Sequence, residues 1–390
     1  MRAILIGAGI GGLTAALALS RRGVKVTLID RAPELGEVGA GLQLGPNATR
    51  ILFGLGLEAE VTRAGFCPEA AEVRLARGQG LLLRNTLGAS ALDRWGAPYL
   101  QLHRADLQDL LYRVILNAPN VQVRLGLNVV RIENQTDGAV AVLQDGERLE
   151  GDVLVGCDGV RSFVREQLFG PEAPRFTGQV AWRGVVPADA LPKGLIPPIA
   201  AVWNGPGRHF VHYYVRGGAL VNFVGVVERD WRLESWTEPG DPADLQADFK
   251  DWPEPVQALC RTVKTPFRWA LYGREPLARW TSGRISLLGD ACHPMLPFLA
   301  QGAAMAIEDA EVLAHQLTAT PDPAVALQRY EALRRPRTAR VQRASAFNAR
   351  LFHLPEPAAR AAFAAAAVLD QFKGRGAASR FDWIYGYKAP

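Results

Sequence analysis

The chain reads as an α/β protein in which a doubly wound parallel sheet is interrupted by an antiparallel β-rich insertion and followed by helices. Three observations predict this. Near the N-terminus, apolar runs rich in β-branched residues alternate with helical segments. From Phe176 to Trp269 the sequence becomes aromatic and strand-like, punctuated by Gly and Pro. After Asp309 it is Ala- and Arg-rich with helical spacing. A length of 390 residues suits two domains or one large composite domain.

Taken in order, Arg2–Gly7 is a buried strand, and Gly7-Ala8-Gly9-Ile10-Gly11-Gly12 leads from it into a small-residue helix, Leu13–Ser20. Val24–Asp30 is the next strand, ending in an acid with Arg31 beyond it. This is the full dinucleotide fingerprint. Gly7 permits the tight turn, Gly9 lets the backbone approach a pyrophosphate, Gly12 lets helix and strand pack closely, and Asp30 can bond ribose hydroxyls. The Gly-rich stretch Gly36–Asn47, with Gln43 inside it, reads either as a plain connection or as a loop lying against a flat ring. Leu102–Leu111 starts an amphipathic helix, where Asp106 is expected to help cap the first turn. Arg104 either reaches a phosphate or lies on a solvated face.

Gln122–Leu125 and Ala139–Leu143 read as strands, and Gln144-Asp145-Gly146-Glu147 as a hairpin turn. Asp152–Arg165 repeats the N-terminal logic: an apolar strand, an Asp158-Gly159 turn, then a helix carrying Arg on one face. In the insertion, Gln179–Val186, Ile199–Trp203, His209–Val215 and Ala219–Val227 are strands, and Pro242–Cys260 is helical. Strand alternation puts residues 209, 211 and 213 on one face and His212 on the other. Arg284–Gly289 is a short buried strand that feeds Gly289-Asp290-Ala291-Cys292-His293-Pro294. A helix then runs from Gly302 to about Leu317, and a second spans Ala324 to about Phe352. The aromatic tail Phe381–Tyr387 is expected to dock.

Net charge is +5, with the arginines spread along the chain, which fits an anionic small ligand and argues against nucleic acid. The four cysteines are far apart, no signal peptide is evident, and no apolar run is long enough to cross a bilayer. A cytoplasmic protein without stable membrane association, monomeric or homodimeric, is the expectation. Cys157 and Cys292 read as small buried residues beside turns, and no metal site is expected.

Three motifs each sit where an apolar strand ends: Gly7-Gly9-Gly12 with Asp30, Cys157-Asp158-Gly159, and Gly289-Asp290. In a doubly wound sheet such ends line one crevice. Their order resembles the single-component FAD-dependent aromatic hydroxylases of the p-hydroxybenzoate hydroxylase family, over essentially the whole chain. The Gly289–Met295 run, Ala300-Gln301-Gly302-Ala303, Gly39–Asn47 and the Trp383–Tyr387 tail are most similar to the salicylate, 3-hydroxybenzoate and 6-hydroxynicotinate hydroxylases. Gln43 stands where the last of these carries a histidine.

The resemblance implies a Rossmann-like FAD-binding domain (1–172 and 276–320), an inserted antiparallel β-sheet substrate domain (173–275), and a C-terminal helical segment with the tail (321–390). It implies FAD contacts from Gly7, Gly9, Ile10, Gly11, Gly12, Asp30, Arg31, Gln43, Arg104, Asp158, Gly289 and Asp290. Pro297, Gly302, Ala303, Ala304 and Met305 would border the flavin ring. NADH or NADPH would reduce the flavin and O2 would add to give a flavin hydroperoxide. A small hydroxylated aromatic acid would attack it, with or without decarboxylation. His209 and Tyr213 are the candidate pair that activates the ring hydroxyl. The alternatives are an epoxidase, halogenase or reductase on the same scaffold, or a flavin-binding protein without turnover. A plain NAD-dependent dehydrogenase leaves Asp158 and Asp290 without a role, and the tryptophan motif of the halogenases is absent.

Overall fold

A computed structural model describes residues 1–36, 41–78, 80–233, 238–372 and 377–390. In chain order the strands are β1 (Arg2–Ile6), β2 (Lys25–Ile29), β3 (Gly41–Leu44), β4 (Ala70–Leu75), β5 (Leu81–Thr86) and β6 (Leu100–His103). They continue as β7 (Val121–Arg124), β8 (Val129–Asn134), β9 (Ala139–Leu143), β10 (Arg148–Gly151), β11 (Val153–Gly156) and β12 (Arg175–Pro187). The last are β13 (Ala200–Gly205), β14 (Arg208–Val215), β15 (Leu220–Glu228), β16 (Phe267–Gly273) and β17 (Ile285–Leu287).

The parallel sheet has the order β17-β11-β1-β2-β7. Its inner strands are apolar on both faces because helices cover both, as in any parallel sheet. Ile6 lies opposite Gly156, and Gly156 opposite Leu287. The three motif turns therefore leave from the ends of three adjacent strands, as the strand-end argument expected.

The second large sheet has seven strands in the order β16-β12-β15-β14-β13-β4-β5. Two of these, β4 and β5, come from residues 70–86, ahead of the expected insertion, and β4 joins by pairing parallel to β13. A boundary at residue 172 thus divides the chain but not this sheet. One face carries Trp182, Phe210 and Phe223, packed on Phe249 and Trp252 from the helical segment. That segment is two helices, Pro242–Asp248 and Glu254–Thr262. The opposite face looks towards the motif turns.

Gly41–Leu44 is not loop: it pairs antiparallel with β6. Residues 37–40 of the Gly-rich stretch lie outside the described residues. The hairpin at Gln144–Glu147 joins β9 to β10 as expected. Helices Gly302–Ala319 and Pro323–Leu351 follow, and the tail docks through Ile384 and Tyr385, both buried against Trp95 and Tyr99. Among the described residues no helix is long and apolar enough to cross a membrane.

Candidate active site

At the end of β1 the glycines answer to measurable constraints. Gly7 has φ +109°, in the region that favours glycine, and a Cβ on Gly12 would lie 1.9 Å from the Gly7 carbonyl oxygen. A Cβ on Gly9 would meet nothing within 4 Å, so the space beside this backbone is left open on the cavity side. Asp30 braces the turn: its Oδ2 accepts from the Ala8 amide at 2.6 Å and its Oδ1 from Ala32 at 2.8 Å. Gln108 Nε2 donates to the Ala8 carbonyl at 3.1 Å, a buried support that sequence reasoning missed. Arg104, at the first turn of the helix Arg104–Leu116, lines the cavity. Asp106 makes no cap there. It pairs instead with Arg216 at 2.8 and 2.9 Å, and the helix start carries no side-chain cap.

The Asp158 carboxylate is turned inward. It accepts from Ser162 Oγ at 2.5 Å and from the Val164 amide at 3.0 Å, so it organises the start of the helix Phe163–Phe169. Burial raises its pKa, and those hydrogen bonds oppose the rise. Cys157, Gly159 and Val160, rather than the carboxylate, line the cavity. Arg165, buried, donates to Val160 O at 2.8 Å and to Ala291 O at 2.9 Å, tying the second motif turn to the third.

The third turn closes on a buried charge network. Asp309 accepts from the Gly289 amide at 3.1 Å, from His293 Nε2 at 2.5 Å and from Arg334 Nε at 2.7 Å. Burial alone would raise the Asp309 pKa, but His293 and Arg334 hold it below the usual carboxylate range. Glu308 accepts from Arg334 at 2.6 Å, from Arg337 at 2.6 and 2.8 Å and from Asn47 at 2.7 Å. Arg337 also donates to the carbonyls of Trp383 and Ile384 in the tail. Charges buried this deeply persist only when paired and hydrogen-bonded, as the Glu308 and Asp309 carboxylates are. Cys292, His293 and Asp309 offer ligand atoms within 4.8 Å of one another, but Asp309 is already committed to Arg334 and Gly289, which marks the cluster as a structural clasp.

Gly302 and Ala303 line the cavity at the start of their helix, but Ala304 and Met305 do not. Both are fully buried, and the Met305 carbonyl and sulfur face Arg334. The helical turn rotates residues 304 and 305 behind the wall that residues 302 and 303 form. Asp290 and Pro297 stand on the cavity side with Gly289.

One cavity of about 670 Å³ joins these parts to the second sheet. It runs from Gly9–Gly11 and the Asp290 turn, past Gln43, to His209, Val211 and Tyr213 of β14 and Arg183 of β12. Alternation along β14 is as expected. His212 faces away and its Nε2 accepts from Trp203 at 3.0 Å. His209 and Tyr213 share the cavity face, yet sit four residues apart, roughly 13 Å along a strand, and do not act as a hydrogen-bonded pair. His209 Nδ1 is 2.8 Å from His353 Nε2, and its ring packs on Phe298 and Phe352. Burial, then His353, pushes the His209 imidazole well below its ordinary pKa, so it is neutral at pH 7. Tyr213 packs over Gly41, and burial raises its hydroxyl pKa. Gln43 accepts from Tyr99 at 2.7 Å, beside Tyr385 of the tail.

The open flank of Gly9, the three turns at adjacent strand ends and a continuous cavity beyond them leave room for an extended dinucleotide such as FAD. A family model described as FAD binding domain matches residues 1–345. The chain is 39% identical to a 3-amino-4-hydroxybenzoate 2-monooxygenase of Streptomyces platensis, over 100% of this chain and 96% of that one. It is 37% identical to a 3-hydroxybenzoate 6-hydroxylase of Aquipseudomonas alcaligenes, over 98% and 97%. Among solved structures, Klebsiella pneumoniae HpxO with FAD and uric acid superposes with TM-score 0.83 at 30% identity, over 93% of this chain and 91% of that one.

Proposed function

The chain belongs to the FAD binding domain family and is an FAD-dependent aromatic monooxygenase that uses NAD(P)H, and from that premise we propose that it hydroxylates a small aromatic acid bearing a ring hydroxyl, of the hydroxybenzoate, aminohydroxybenzoate or hydroxynicotinate kind. The observation that carries this reading is the continuous cavity, which joins the glycine turn to a largely apolar sheet face that carries His209 and Arg183. The bound flavin supplies oxygen activation. The chain's residues bind the ring, fix its orientation and move its proton.

The substrate ring lies between the Pro297–Ala303 wall and β14. His209 Nε2 takes the ring hydroxyl's proton, because His353 occupies Nδ1. Removing that proton makes the ring electron-rich, which the oxygen transfer requires. Tyr213, protonated, orients the far end of the ring. Arg183, stacked over Trp269 with 5.0 Å between guanidinium and ring centroid, receives the carboxylate. Phe298, Leu299 and the tail residues Ile384 and Tyr385 border the cavity and keep water from it. All four cysteines are free, as in a reducing compartment, and we place the protein in the cytoplasm.

The test is a panel: 3-amino-4-hydroxybenzoate, 3-hydroxybenzoate, salicylate, 6-hydroxynicotinate, and the matching phenols without a carboxylate. At least one acid should accelerate NAD(P)H oxidation far above the substrate-free rate. Arg183→Met should raise KM for that acid and not for its phenol. If no member of the panel accelerates the reaction, the substrate class is wrong.

A further inference from the structure

His353 sits at the C-terminal end of the long helix Pro323–Leu351, where nothing in the sequence marked it. The helix end is held against the β13–β14 turn, with the Gly207 amide donating to the His353 carbonyl at 3.2 Å. His353 is buried with its two ring nitrogens engaged on opposite sides. Nε2 meets His209 Nδ1 at 2.8 Å, and Nδ1 meets Glu228 Oε1 at 2.7 Å. The Glu228 side chain is 58% exposed. A line of three ionisable groups therefore leads from the cavity, through the protein, to solvent.

We propose that His209, His353 and Glu228 form a proton relay that carries the substrate hydroxyl's proton out of the cavity to the surface. The inference rests on the reading of His209 as the group that deprotonates the ring hydroxyl. One tautomer satisfies both short contacts: Nδ1–H on His209 donating to His353 Nε2, and Nδ1–H on His353 donating to Glu228. The ring hydroxyl then gives its proton to His209 Nε2, His209 passes its Nδ1 proton to His353 Nε2, and His353 passes its own to the Glu228 carboxylate. One proton enters, one leaves, and no group changes oxidation state. An exit of this kind matters because a proton held on buried His209 must be passed on before the next ring hydroxyl can be deprotonated.

The groups facing the line from the packed elements are few. Gln179 of β12 approaches His353 Nδ1 at 3.4 Å and carries no charge. Asn204 of β13 lies opposite His209, and Phe298 and Phe352 cover its ring. Among the described residues, the ionisable neighbour that lowers His209 is His353, and the one that acts on His353 is Glu228. Burial lowers both imidazoles while Glu228 raises that of His353, so neither traps the proton in passing.

The experiment uses oxidised holoenzyme with the panel's preferred hydroxybenzoate bound, and follows phenolate absorbance after a rapid upward pH jump. In the wild type the bound phenol ionises quickly. Glu228→Gln and His353→Phe should each slow that ionisation roughly tenfold or more, with the flavin spectrum and the substrate Kd unchanged. Glu228→Gln alters an exposed side chain and keeps the test valid if His353→Phe folds poorly. Ionisation at the wild-type rate in Glu228→Gln and in folded His353→Phe overturns the relay while leaving His209 as the base. A wild type that never ionises the bound phenol, at any pH, overturns both.

Discussion

Gly9 and Gly12 stand three residues apart and answer to different constraints. Gly12→Ala places a methyl where the Gly7 carbonyl already is, and should cost about 1–3 kcal/mol in a urea denaturation. Gly9→Ala meets no protein atom within 4 Å, so its urea midpoint should stay at the wild-type value. Its methyl instead occupies the approach to the pyrophosphate, and the purified variant should lose FAD on gel filtration. His212 shows what burial beside a cation does to an imidazole. Burial, then Arg74, lowers its pKa to about 4, and its Nε2 must stay neutral to accept from Trp203. The unfolded chain takes a proton near pH 6.5, the folded one only near pH 4, so the unfolded state binds more protons between them. Stability should therefore fall as pH drops from about 6.5 towards 4, and His212→Gln should flatten that slope in urea midpoints measured across the window. The fingerprint glycines were legible in the sequence because their demands are steric and local. The His353 contact was not, since it depends on where a 29-residue helix ends in space.

At the scale of elements, the helix Gly302–Ala319 does two jobs with successive residues. Gly302 and Ala303 face the cavity, while Glu308 and Asp309 face inward and collect the Gly289 turn, Asn47, His293, Arg334 and Arg337. Arg334→Met leaves two buried carboxylates short of a partner, and should cost about 3–5 kcal/mol. Because Arg337 holds the tail through the same Glu308, the variant should also expose the segment around Tyr385 to hydrogen exchange. Exchange there at the wild-type rate would show that the tail docks independently of the network. The sequence displayed Glu308 and Asp309 inside the signature stretch, but not their arginines, which lie 25 to 29 residues further on. Met305 lies behind the cavity wall for a related reason: the helix's phase relative to the cavity is fixed by its other contacts, here with Arg334.

At the scale of the molecule, the parallel sheet and its three motif turns build one end of a cavity, and the seven-stranded sheet builds the other. The three motif strands of the parallel sheet were legible as apolar runs ending in Gly or Asp, but not their order in the sheet. The composition of the second sheet was not legible either, because β4 and β5 are recruited from residues 70–86 by a parallel pairing that no local pattern announces. That recruitment brings Ala71, Val73 and Asn85 to the cavity wall and closes the sheet face opposite the flavin end. The cavity between the two sheets receives a hydroxylated aromatic acid, and one atom of O2 ends on the acid's ring. The most direct measurement is turnover of the preferred acid under 18O2, with mass analysis of the product. Incorporation of a single 18O atom, with NAD(P)H consumed in step with product, is the predicted result. An unlabelled product, or NAD(P)H oxidation that yields only hydrogen peroxide with every acid tried, would contradict it.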